Sequence, residues 1–209
     1  IEPQYKSESN EVARIPLTRY DSDPVGLPLA PKCVVVTEDG TRAYVALENG
    51  RIAVIDAISL QEIDVNADPD DAKAVGIQHI ELKNAVGASP FDMAVESSGR
   101  YLYISDRNEP AVYVIDISPY SPTYNQHVKT ISLPDQYVTK GLRNLAMSAD
   151  QKRLYVAAPA QDLFDRVGDD TGHILAIETD PADPRNPRFD PDPERYAVIE
   201  VGPGPYDIT

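Results

Sequence analysis

One short pattern occurs three times in this chain, and that recurrence restricts the fold more than any other feature. The first copy is residues 33–56, CVVVTEDGTRAYVALENGRIAVID. It holds three apolar runs joined by two turns. Asp39-Gly40 and Asn49-Gly50 are pairs that accept the backbone of a tight hairpin turn. The runs between them are β-branched and four to five residues long, so the unit reads as a three-stranded antiparallel meander. A sheet that small cannot cover both of its faces. It needs neighbours of its own kind.

The chain supplies them. Residues 90–116, PFDMAVESSGRYLYISDRNEPAVYVID, repeat the layout. So do residues 142–160, LRNLAMSADQKRLYVAAPA, completed after an insertion by HILAIE at 173–178. The turn Asp39-Gly40 aligns with Ser98-Gly99 and with Asp150-Gln151. Tyr44, Tyr103 and Tyr155 fall at one place in the three units, and packing between adjacent sheets is the role expected of them. Asp56, Asp116 and Glu178 close the third strand of each. A fourth copy begins at Pro205-Tyr206-Asp207-Ile208.

These residues resemble the YVTN family of β-propeller repeats. Tyr44-Val45-Ala46, Tyr103-Ile104-Ser105 and Tyr155-Val156-Ala157 carry the likeness, each followed by an apolar strand with an acidic end. The motif asparagine is absent from all three copies. The resemblance implies an all-β fold, a β-propeller of four-stranded antiparallel blades, with about three blades and the first strand of a fourth present. It points to a location outside the cytoplasm: secreted, periplasmic or at the cell surface. For function it is permissive, because such propellers include surface-layer proteins, lactonase-like enzymes and plain binding scaffolds.

In chain order, residues 1–29 form an N-terminal extension, with 12–15 a candidate closing strand, and 30–209 form the partial propeller. The blades are expected at about 30–82, 89–133 and 141–201, with the next starting at 204–209. In the first blade either 60–65 or 77–82 could be the outer strand. In the second it is 127–133, and in the third 196–201. The tyrosine spacings are 59 and 52 residues, against about 40–50 for plain propeller repeats. The excess lies in loops, where binding function is usually grafted. Propellers close with about four to eight blades. Three blades do not close a ring, so the remaining ones are expected from the same longer chain or from another copy.

A net charge of −15 opposes binding to nucleic acid or to an anionic membrane surface, and suits solubility, divalent cations or basic partners. No run of 18 apolar residues is present. The single cysteine, Cys33, excludes an internal disulfide and reads as a small core residue.

Four candidate sites emerge. Asp64, Asn66, Asp68 and Asp70 place oxygen ligands at alternate positions, as a calcium loop requires. Pro69 and Val75 stand where such a loop wants glycine and glutamate, and a solvated acidic loop is the competing reading. Asp162, Asp165, Asp169 and Asp170 precede His173, which could hold a metal, although no histidine pair has ligand spacing. The entries to the innermost strands, Lys32, Asp92, Asn144 and Asp207, would line the channel; Asp92, Asn144 and Asp207 form a candidate axial ligand-binding ring. Their alternative is local capping of turns and backbone. Finally, Tyr120 and Tyr124 sit in a Pro-rich loop suited to protein contact.

The expected function is a non-catalytic extracellular or cell-surface binding or scaffold module, with calcium as a candidate ligand and a protein as partner. Two alternatives stay open: the substrate-binding part of a lactonase-like or oxidoreductase propeller enzyme, and a subunit of a surface polymer.

Overall fold

Three antiparallel sheets follow one another along the chain, each built from one copy of the repeat. The computed structural model describes residues 13–17, 29–65, 77–82, 87–160, 171–190 and 197–208, among which no helix occurs. Accordingly, no helix among them is long and apolar enough to cross a membrane. Residues 13–17 are irregular chain.

The first blade contains β1 (Pro31–Val36), β2 (Arg42–Leu47) and β3 (Arg51–Asp56), followed by β4 (Gln61–Ile63) and β5 (Ile80–Glu81). The second contains β6 (Pro90–Val95), β7 (Tyr101–Asp106), β8 (Ala111–Asp116) and β9 (Gln126–Ser132). The third contains β10 (Leu145–Met147), β11 (Arg153–Ala158), β12 (Gly172–Glu178), β13 (Arg188–Phe189) and β14 (Val198–Val201). In every blade the strands pair in chain order from the innermost outward. The turn residues place the hairpins as their chemistry demands. Gly40, Gly99 and Gln151, which share one alignment position, all adopt the left-handed conformation, with φ of 70°, 68° and 59°. A glutamine is costly there, and its amide offsets part of the cost: Gln151 Oε1 accepts the Ser97 N–H of the preceding blade at 3.0 Å.

The outer strand departs from expectation. In the first blade both sequence candidates are used: β4 pairs with Val54–Asp56 and β5 with Arg51–Ile52. In the third blade β14 covers the first half of β12, and β13, which lies inside the Pro- and Asp-rich insertion, covers its end. The second blade shows why the break falls there. Its outer strand is continuous but bulged, with Val114 opposite Lys129 and Ile115 opposite His127, so Val128 is the extra residue. The long insertions of the other two blades open at nearly the same rung. A bulge already interrupts the ladder there, so a loop can leave with little further loss of pairing.

Two apolar seams join the blades. Tyr44, Ala46, Ile52 and Val54 of the first face Met93, Leu102, Ile104 and Ile115 of the second. Tyr103, Val112 and Val114 on the opposite face of the second meet Leu154, Val156 and Leu175 of the third. The central sheet is thus covered on both sides, and β8 is buried at every residue. The outward faces differ. Val34 and Val36 of β1 point away from the second blade and are exposed, and Tyr155 is only half-buried. Residues 202–208, where a fourth copy begins, carry no strand. They are held by Ala160 N–H donating to the Pro203 carbonyl at 3.0 Å.

Candidate functional site

The innermost strands β1, β6 and β10 lie side by side, and their entries converge on one mouth. Pairing fixes which residues correspond. Val35, Ala94 and Ala146 lie opposite the three aligned tyrosines, so counting back two places makes Cys33, Asp92 and Asn144 equivalent. Lys32 therefore falls level with Phe91 and Arg143, not with Asp92. A cavity of about 360 Å³ opens between them, lined by Lys32, Cys33, Asp92, Arg107 and Asn144 among others. The structure brings Asp92 and Asn144 of the expected ring together there. Asp207 is exposed and outside the lining of this cavity.

Several polar groups at this mouth are engaged. Asp92 Oδ2 accepts the Leu145 N–H at 2.8 Å, tying the second blade to the third, and its own N–H donates to Ser105 Oγ at 3.1 Å. The Asn144 carbonyl accepts the Ala157 N–H, and its N–H reaches the Tyr206 carbonyl at 3.4 Å. Lys32 is ion-paired with Glu48. Burial, with the Asp92 charge beside it, pushes the Cys33 thiol up to about 12, so it is not a thiolate at neutral pH. Behind the mouth the Arg143 guanidinium lies between the rings of Phe91 and Tyr206, 5.3 Å from each centroid. Its Nη1 donates to the Arg107, Lys140 and Leu142 carbonyls. This buried arginine spans the second blade, the third and the start of the fourth copy. Sequence reading passed over it, although its position beside Asn144 in the aligned entries was available.

Asp64 lies at the base of the acidic loop, where its Oδ1 accepts the Gln78 N–H at 3.2 Å. Asn66, Asp68 and Asp70 lie outside the described residues, as do Asp162, Asp165, Asp169 and Asp170. The histidines sit apart. His79 Nε2 contacts Glu62 Oε1 at 2.8 Å in a buried pair; His127 Nε2 contacts the Lys129 carbonyl and Thr130 Oγ1; the His173 ring meets Tyr137 edge-on at 5.3 Å. Among the described residues no three metal-binding side chains converge.

The opposite rim carries the hairpins that follow the third strands. Its acidic ends have a structural purpose. Asp56 pairs across the strands with Arg42 at 3.0 Å and Glu178 with Arg153 at 3.3 Å. In the second blade Tyr101 takes the arginine's place opposite Asp116. Burial raises the Asp116 carboxyl, but the hydroxyls of Ser121 and Thr123 and the Ser118 N–H outweigh it and hold the group below its ordinary 3.8. A depressed native pKa stabilises the fold above about pH 4 and loses that contribution as pH falls through the native value. Asp116→Asn should therefore flatten the acid limb of stability below about pH 4. Urea denaturation along that range checks it, and parallel curves for both proteins would refute it. Beyond Asp116, Tyr120 is 98% exposed, while Tyr124 is half-buried.

Mouth, seams and rim define three consecutive blades of a partial β-propeller. The comparisons with known proteins agree. The chain resembles hydrazine synthase of Kuenenia stuttgartiensis (TM-score 0.54, 21% identity, 82% of this chain and 37% of that one). It also resembles a putative 6-phosphogluconolactonase from Bacteroides uniformis (TM-score 0.51, 14% identity, 85% and 42%). The WD40 repeats of RRP9 align at TM-score 0.48 and 18% identity over 77% and 38%. The chain thus spans about two fifths of these structures or less, and the likeness is one of fold. No family model matches the sequence, and no curated protein matches it.

Proposed function

We propose that this chain is the recognition part of a YVTN-type β-propeller working outside the cytoplasm, and that it binds a protein partner without performing chemistry. The observation that carries this reading is the contrast between its two ends. At the mouth Asp92 is tied to the Leu145 backbone and Lys32 to Glu48. At the opposite rim Tyr120 stands 98% in solvent, on a hairpin whose base is pinned by Asp116. A rigid base presenting an aromatic tip suits a protein contact. The acidic segment 64–71 adds calcium as a candidate ligand of the same module.

Replacing 118–124 by a Gly/Ser linker should abolish capture of a single extracellular partner by the immobilised protein, while the fold is kept by circular dichroism. Retained capture would contradict the proposal. Calorimetric titration with calcium tests the ion separately, and no heat at millimolar calcium ends that part.

A second reading is favoured by one observation: the axial cavity has Lys32 and Arg107 in its lining, cations that suit an anionic sugar or acid. On it, the chain is the substrate-binding part of a lactonase-like or oxidoreductase propeller, with chemistry supplied elsewhere. Saturable binding of a sugar-acid lactone, lost in Arg107→Ala, would favour it. The exposed Val34 and Val36 on the outward face of β1 suit the third reading, a subunit of a surface polymer, for which mass rising with concentration is the test.

A further inference from the structure

The hairpin joining β3 to β4 places a leucine where the backbone disfavours one. Leu60 has φ of 58°, and its N–H donates to the Asp56 carbonyl at 2.9 Å. The equivalent hairpin of the second blade has the same construction, with Asn125 N–H on the Asp116 carbonyl at 2.7 Å and φ of 56°. Asparagine tolerates the left-handed region, whereas a branched apolar residue there is strained. Burial does not compensate for the strain: Leu60 is 40% exposed, and Ile58, two residues earlier, is 76% exposed. The loop is braced from within, since Asp56 Oδ1 accepts the Ile58 and Ser59 N–H groups at 3.0 and 2.9 Å.

The surroundings are acidic. The Ala57 N–H donates to the Thr41 carbonyl at 3.0 Å, which seats the loop beside the 37–41 turn and its exposed Glu38 and Asp39. Hydrogen bonds from Thr37 and Thr41 hold the Asp39 carboxyl below the usual range, so it is charged. The neighbouring cation, Arg42, is turned to Asp56. Two exposed aliphatic side chains thus stand on a loop that Ala57 joins to the acidic 37–41 turn. We propose that Ile58 and Leu60 anchor a partner segment with an apolar centre flanked by lysine or arginine, with Glu38 and Asp39 as the charged border. The proposal rests on the protein-binding reading above and gives that partner a chemistry.

The test uses the whole chain and an acetylated octapeptide with two central leucines flanked by lysines, followed by amide chemical shifts. Saturable shifts should centre on 57–60 and 37–41. Leu60→Gly and Ile58→Ser should each weaken binding roughly tenfold, and Leu60→Gly should leave the melting temperature unchanged or raise it by relieving the backbone. The same peptide with glutamates for lysines, or alanines for leucines, should not bind. Affinity unchanged in the two variants would mean diffuse attraction to an acidic protein and would overturn the proposal, as would absence of saturable shifts or a lowered melting temperature for Leu60→Gly. If the extracellular partner is lost on replacing 118–124 but kept in Leu60→Gly, this patch fails while the binding module stands.

Discussion

Asp106→Ala is expected to destabilise the protein by about 3–5 kcal/mol, among the largest losses from any polar substitution in the chain. The side chain is wholly buried and its two oxygens serve four donors. Oδ1 accepts the Asn108 and Glu109 N–H groups at 2.8 and 3.1 Å. Oδ2 accepts the Ser89 N–H at 3.0 Å and the Tyr113 hydroxyl at 2.9 Å. The carboxylate thus fixes the turn between β7 and β8 and the entry to β6 together. Its own carbonyl takes the Leu142 N–H of the next blade, where Gly141 runs so close that a Cβ would meet the Arg107 carbonyl. Alanine leaves the Tyr113 hydroxyl and the Ser89 N–H without a partner, each costing about 1–3 kcal/mol where water is excluded. The Asn108 and Glu109 amides lie in an exposed turn and recover part of their loss from solvent. Urea unfolding gives the number; a loss below about 1 kcal/mol would show that the network is dispensable.

The second large effect separates two residues that the sequence treats alike. Tyr103→Ala should cost about 3–5 kcal/mol, whereas Tyr155→Ala should cost about 1 kcal/mol or less. Tyr103 is fully buried in the seam between the second and third blades. Its ring meets Tyr101 edge-on at 6.4 Å, and its hydroxyl donates to Glu96 Oε1 at 3.1 Å. Truncation opens a ring-sized cavity and strips a buried carboxylate of a donor. Tyr155 occupies the same repeat position on a face that no described sheet covers, and it is half-buried. Thermal unfolding of both variants settles the matter, and equal losses would mean that the seams do not set the energetics.

What could be read from the residues was what repeats. Turn pairs such as Asp39-Gly40 and the aligned tyrosines gave the blades, because tight turns and seam packing impose local requirements that recur. The outer strands were ambiguous because 60–65 and 77–82 are both short apolar runs, and the sheet in fact uses both. Strand β13 was missed because Arg188–Phe189 is two residues inside a Pro- and Asp-rich stretch with no periodicity. At the mouth, Cys33 rather than Lys32 takes the position of Asp92, because both inner strands are irregular just after their first residue. Asp106 left no pattern at all: its partners Ser89 and Tyr113 lie 17 and 7 residues away, and only the second blade has an acid there. Arg143 was passed over because its partners come from three successive units, although it stands beside Asn144 in the aligned entries.

That successive sheets stack face to face is tested most directly where a single bond crosses a seam. The Tyr44 hydroxyl donates to Asn125 Oδ1 at 2.9 Å, across 81 residues of sequence and from one blade to the next. A double-mutant cycle of Tyr44→Phe and Asn125→Ala, read by urea denaturation, should give a coupling energy of about 1 kcal/mol. Losses that simply add, within about 0.3 kcal/mol, would mean that these two blades do not meet as described.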